Sequence, residues 1–145
     1  MGGSPGAGAA QGAGARLALT TNLQGHMAEF YALFRSVLDA QSAAALDHHV
    51  AGRATVEGLQ ASLAAAGFTI LHTNREQASL RFADGAAPLR HSFIRLGFLP
   101  AWQEIVPPAH RADVFARLQA ALDAEASAKG SLDLTVPLAY VEARA

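Results

Sequence analysis

A chain of 145 residues, 51% hydrophobic and 16% charged, is sized for one domain and carries enough apolar side chains to bury a core. Its formal net charge of -1, with Lys and Arg spread thinly, gives no electrostatic footprint for nucleic acid or an anionic membrane surface. The absence of cysteine removes disulfides, thiolate nucleophiles and cysteine-based zinc sites, and no apolar run approaches the roughly 20 residues of a membrane span, so a soluble cytoplasmic protein is expected.

Met1 to Ala15, MGGSPGAGAAQGAGA, holds too little apolar surface to offset the entropy of ordering it, so a flexible leader is expected over 1–15 and a folded domain over 16–145. Gly6, Gly8, Gly12 and Gly14 do not form the G-x-G-x-x-G turn that cradles a phosphate, and no strand precedes them. Arg16 to Asn22, RLALTTN, reads as a strand buried on both faces. Phe30, Leu33, Phe34, Val37 and Leu38 share one face of a helix expected from about Met27 to Ala40. Thr55 can cap a second helix with Glu57 in its first turn, Val56, Leu59 and Leu63 on its buried stripe, and Gly67 at its end.

Phe68 to Thr73 reads as a strand, and the alternation of Ala78, Leu80 and Phe82 as a further short one closed by a turn at Asp84-Gly85. His91 to Val106 is a helical segment dense in Phe93, Ile94, Leu96, Phe98, Leu99 and Trp102. Another helix carries Val114, Leu118 and Leu122 with Phe115 and Ala121, and stops at Lys129-Gly130. Leu132, Leu134, Val136, Leu138 and Tyr140 alternate through a last strand. Pro137 on its other face removes a ladder donor, so a bulge or a partly edge position is expected there.

Two stretches carry a family resemblance: RLALTTNLQGHMAEFYALFRSVL from Arg16 to Leu38, and TVEGLQASLAAAGF from Thr55 to Phe68. Together they resemble the C-terminal half of class I S-adenosylmethionine-dependent methyltransferases. In that family a strand of the type G-G-R-L-x-L-T-T leads to a helix, and a later helix ends in L-x-x-A-G-F before a sixth strand and an antiparallel seventh. Leu63 to Phe68 matches the second signature, and Leu132 to Ala143 takes the place of the closing strand. Over residues 16–145 the resemblance implies an α/β fold: a partial Rossmann-like sheet, mixed, with an antiparallel last strand and flanking helices. It implies S-adenosylmethionine as cofactor and methyl transfer to a small-molecule acceptor.

The resemblance places substrate-side groups at the carboxyl end of the first strand, at Asn22 and His26, with Glu29 and Tyr31 opening the next helix. It makes His91 to Val106 a cover over an apolar pocket, with Arg95 and Trp102 as substrate contacts. An imidazole titrates near neutral pH and can take a proton from the acceptor, so His26 is the candidate general base. The competing readings are a solvated loop histidine, an Asn22 that satisfies turn backbone, and core packing for the aromatic residues. His48 and His49 are adjacent and diverge on a helix, and His72, His91 and His110 lack metal-ligand spacing, so no metal is expected.

The family's cofactor-holding segments, a glycine-rich turn and an acidic strand end, have no counterpart before Arg16, so the chain is expected not to be competent alone. A truncated frame, a subunit of a split enzyme and a domain adapted to other work all stay open. A first strand lacking its outer neighbour exposes backbone donors and acceptors beside Leu17 and Leu19, from which a homodimer or a partner chain supplying strands is expected, the alternative being that the leader or a helix covers that edge. The alternative to an enzyme is a non-catalytic oligomerising or small-molecule-binding module.

Overall fold

The structure, a computed structural model, describes residues 14–145. Of the expected leader only Gly14 and Ala15 fall among these residues, and both meet the end of the chain. The Gly14 N–H donates to the Ala145 carbonyl at 3.1 Å, and the Ala145 N–H donates to the Ala15 carbonyl at 2.9 Å. The rest of the leader, with Gly6, Gly8 and Gly12, lies outside the described residues.

Among the described residues the chain forms β1 (Arg16–Asn22), α1 (Ala28–Ser36), α2 (Ala40–Ala51), α3 (Val56–Ala65), β2 (Thr69–Phe82), α4 (Ala86–Arg90), α5 (Ser92–Gly97), α6 (Leu99–Ile105), a 3-10 turn (Pro108–His110), α7 (Arg111–Lys129) and β3 (Leu132–Arg144). The fold is α/β, with one three-stranded antiparallel sheet in the order β1-β3-β2. The expected mixed sheet is thereby corrected for the described residues. The last strand inserts between β1 and β2, so the two strands that share a direction never pair.

Three local expectations also change. The helix expected from Met27 to Ala40 is two helices, because Asp39 takes an extended backbone (φ -73°, ψ 173°) and its carboxylate accepts the Ser42 N–H at 2.8 Å, starting α2. The two strands expected between Phe68 and Phe82 are one strand, since polar Asn74 to Gln77 continue the extended backbone where both faces are exposed. Pro137 lies in the middle strand, not at an edge. The Leu23 N–H donates to the Pro137 carbonyl at 2.9 Å, one residue past the last β1 pair, Asn22↔Leu138. A strand residue's N and C=O point the same way, so the missing donor of Pro137 faces the place where β1 has ended.

The described residues divide into two compact units. The first comprises 14–24, Arg53–Ala78 and Val136–Ala145. Here Leu63, Val141 and Ala143 form a core joined by Leu17, Leu19, Leu59, Phe68 and Ile70. Helix α3 starts at Thr55, whose hydroxyl accepts the Gly58 N–H at 3.0 Å. Strand β1 is therefore buried on one face only: Leu17 and Leu19 are half-buried, whereas Arg16, Ala18 and Thr20 are exposed.

The second unit comprises Gly25–Gly52 and Ser79–Thr135. Its core gathers Met27, Phe30, Phe34 and Leu46 with Ile94, Trp102, Leu118, Leu122, Leu132 and Leu134. Helix α7 packs on α1 and on α4, and α2 on α6. The α4–α7 approach depends on Gly85, which is buried and whose N–H donates to the Asp123 carboxylate at 2.7 Å. Helix α7 ends at Gly130, whose φ of 85° is the left-handed conformation that glycine adopts without a Cβ penalty. Along β3 the buried set changes phase. Leu132, Leu134 and Val136 are buried, then Ala139, Val141 and Ala143, with Pro137 and Leu138 both half-exposed between them.

Candidate functional site

The segment leaving β1 turns through two left-handed residues, Gly25 (φ 93°) and Met27 (φ 55°). Glycine takes that conformation freely, but for methionine it is strained, and the surroundings must hold it. Two groups on β3 and α1 do so. The Met27 N–H donates to the Thr135 carbonyl at 2.7 Å, and the Met27 carbonyl accepts the Tyr31 N–H at 3.1 Å, closing the first turn of α1. Glu29 in that turn then reaches β3, accepting the Thr135 N–H at 2.8 Å on one carboxylate oxygen and the Thr135 hydroxyl on the other.

Burial alone raises the Glu29 carboxyl, but the hydrogen bonds from the Thr135 hydroxyl and N–H outweigh it, and with a smaller contribution from Lys129 the group is held below its ordinary value of 4.5. A depressed folded-state pKa means that this stabilisation is complete above the unfolded value and is lost as pH falls through the folded one. The urea midpoint is therefore expected to drop on acidification below pH 4.5, and Glu29→Gln is expected to flatten that part of the profile; identical acid limbs in the two proteins exclude this role for Glu29.

His26, Tyr31 and Trp102 come together in the second unit as parts of one aromatic cluster. His26 is only 3% exposed and stacks on Phe98 at 5.7 Å between ring centroids. Phe98 stacks in turn on Trp102 at 5.8 Å, and Trp102 on Phe30 at 4.5 Å. Tyr31 meets Trp102 edge-on, and its hydroxyl accepts the Trp102 indole N–H at 3.0 Å. His26 is thus not a solvated loop histidine. Trp102 has no exposed surface and Tyr31 only 6%, so both are core side chains with their polar atoms joined to each other.

The other two candidates lie elsewhere. Arg95 is exposed on α5, where the neighbouring Ile94 is buried and Phe93 and Leu96 face solvent at 58% and 83% exposure. Asn22 belongs to the first unit, where it is the last β1 residue paired with β3, opposite Leu138. At this carboxyl end of β1 the first unit has an open concavity of about 370 Å³, lined by Leu23, Gln24, Arg75, Glu76, Gln77 and Pro137. Arg75 is ion-paired with Glu57 at 2.8 Å, and the Asn74 amide donates to Glu76 at 3.1 Å. Both signs of charge, amides and apolar Leu23 and Pro137 therefore line one concave surface, a lining suited to a polar small molecule.

Thr135 was not singled out by the sequence pattern, and Phe98 was read only as part of an apolar segment, not as the partner of His26. Each is distant in sequence from the residue it supports, Glu29 and His26 respectively, and the only local cue was Glu29 in a helical first turn. Among the described residues no three His, Cys, Asp or Glu side chains form a group able to hold a metal ion. No helix among them is long and apolar enough to cross a membrane. No known protein family matches the chain, and no curated protein matches it in sequence.

Proposed function

We propose that residues 16–145 are the substrate-side half of an S-adenosylmethionine-dependent methyltransferase acting on a small-molecule acceptor. The observation that carries this reading is the strand order. The final strand lies between β1 and β2 and runs antiparallel to both, in keeping with the antiparallel last strand that the resemblance implies. The concavity at the carboxyl end of β1 adds support, because open α/β sheets bind ligands beyond the carboxyl ends of their strands.

The described residues do not themselves fit the cofactor. Gly25 is the lone glycine of the β1–α1 connection, and Glu29, the carboxylate nearest to it in sequence, is already engaged by Thr135. In this reading the donor is held by groups beyond residues 14–145, and the first unit contributes an acceptor-side contact through Asn22, beside the concavity. His26 serves as base only where the aromatic ring of Phe98 makes room for the acceptor.

Calorimetric titration of S-adenosylmethionine into the purified chain, with its solution mass fixed by light scattering, tests the proposal. Micromolar binding supports a donor site completed outside the described residues or across copies. No heat at millimolar cofactor, from a folded homodimer, removes a donor site within this chain or across its copies and favours the non-catalytic reading. The second reading, a non-catalytic oligomerising module, is favoured by the outer edge of β1, which no strand among the described residues covers.

A further inference from the structure

Helix α3 covers one face of the first unit's sheet, and on β3 the residues buried there are Ala139, Val141 and Ala143. Side chains alternate along a strand, so Leu138, Tyr140 and Glu142 lie on the opposite face, which Thr20 of β1 shares as the register partner of Tyr140. A hollow of about 180 Å³ sits on that face, with Thr20, Glu76, Leu138 and Tyr140 among its walls. It adjoins the concavity at the carboxyl end of β1, because Glu76 and Leu138 line both.

The charged side chains that line the two hollows, among the described residues, are Arg75 and Glu76. As neighbours on β2 they point to opposite faces. The Arg75 guanidinium is drawn toward α3, where Glu57 in the first turn of that helix neutralises it at 2.8 Å. Glu76 forms no ion pair among the described residues and accepts the neutral Asn74 amide at 3.1 Å, so its charge stays uncompensated. The cations of this sheet face, Arg16 and Arg144, are register partners at its far end, about 13 Å along β3 from Tyr140.

The Tyr140 ring borders the same hollow as Glu76 and is flanked by the His72 ring at 6.3 Å between centroids. Its hydroxyl donates to Glu142, which fixes the ring across the sheet. That bond, aided by burial, raises the phenol above its ordinary value of 10.0 and keeps it neutral. A carboxylate beside a tyrosine ring attracts a cation in two ways, by its charge and through the ring quadrupole. A metal ion finds too few ligands here, since no three His, Cys, Asp or Glu side chains gather among the described residues. An organic cation needs fewer, and its apolar part can cover Leu23, Pro137 and Leu138.

We infer that the two hollows of the first unit form one site for a small organic ammonium ion, held by the Glu76 carboxylate and the Tyr140 ring. That this cation is the methyl acceptor rests on the methyltransferase reading; its binding does not.

The test is a titration of the isotope-labelled chain without cofactor, followed by the amide resonances in NMR spectra. Three probes share one ring and differ in charge: benzylammonium, benzyl alcohol and benzoate. Benzylammonium is expected to bind about tenfold more tightly than the alcohol and to move the amides of Gln24, Glu76, Gln77, Leu138 and Tyr140. Glu76→Gln is expected to abolish that preference and leave the alcohol unchanged, and Tyr140→Leu to weaken benzylammonium about threefold. Both variants are compared with the wild-type spectrum to confirm the fold.

Equal binding of ammonium and alcohol by the wild-type chain overturns the inference, as does no response to benzylammonium at tens of millimolar. Tighter binding of benzoate also overturns it, by making Arg75 the recognising group, and so does a folded Glu76→Gln chain that keeps the preference. Cofactor binding without the ammonium preference removes this ligand class and leaves the methyltransferase reading standing. The preference without cofactor binding keeps the site and counts against that reading alone.

Discussion

Trp102→Ala is expected to destabilise the protein by about 4 kcal/mol, the range for emptying a fully buried large aromatic site. Trp102 has no solvent-exposed surface. Its ring is stacked between Phe30 and Phe98 and met edge-on by Tyr31 and Phe34, so truncation removes dispersion contacts on several sides at once. It also removes the bond from the indole N–H to the Tyr31 hydroxyl. Trp102→Phe keeps most of the volume and loses the bond, so a smaller loss of about 2 kcal/mol is expected. Because the chain has a single tryptophan, unfolding in urea is best followed by far-UV circular dichroism. Equal midpoints for wild type and Trp102→Ala are incompatible with a packed site, whereas a substrate-contact role alone leaves stability nearly unchanged.

Gly85→Ala is expected to cost about 3 kcal/mol through overpacking. A Cβ at position 85 stands 2.5 Å from the Asp123 backbone nitrogen, 2.7 Å from the Gln119 carbonyl oxygen and 2.7 Å from the Leu122 Cβ. Two of these are main-chain atoms of α7, which cannot rotate aside as the end of a long side chain can. The methyl group must therefore push α4 and α7 apart, and the bond from the Gly85 N–H to Asp123 is weakened with them. Gly97→Ala is the matched control: its added Cβ meets nothing within 4 Å, so it is expected to be neutral or to stabilise by up to about 1 kcal/mol. Thermal melts of the two variants side by side check both, and a Gly85→Ala melt equal to wild type contradicts the close approach.

Elements with a strong local signature were legible in the sequence. The stripe Val114, Leu118 and Leu122 with Gly130 beyond it marks α7, and Thr55 with Gly67 brackets α3. Local pattern misled where a residue had two competing uses. Val37 and Leu38 prolong the apolar stripe of α1, but Asp39 spends its carboxylate on the next helix, and the chain breaks there. Alternation through β3 suggested one continuous buried face. The two halves instead serve different cores, and the phase changes at Pro137 and Leu138.

The site was less legible for a related reason. Nothing beside His26 in the sequence foretells its burial, because Gln24 and Gly25 are exposed and the ring that stacks on it, Phe98, comes from a different segment. The carboxyl end of β1 was identifiable from pattern and resemblance. Which residues of the first unit lie beside it depended on long-range packing, and that brought in the Arg75–Glu57 pair.

Met27 places two opposing demands on one position. Its left-handed backbone, at φ 55°, favours glycine, relieving a strain of roughly 1–2 kcal/mol, while its complete burial favours a long, flexible apolar group whose removal costs about 2–5 kcal/mol. Asparagine suits the backbone and brings an amide into an apolar core; isoleucine suits the core but its β-branch adds to the strain, whereas leucine carries the same strain as methionine. Codon 27 is therefore a narrow point in this protein's mutational landscape, where a randomised library selected for folding returns long, unbranched-Cβ apolar residues such as methionine and leucine above their share of the genetic code.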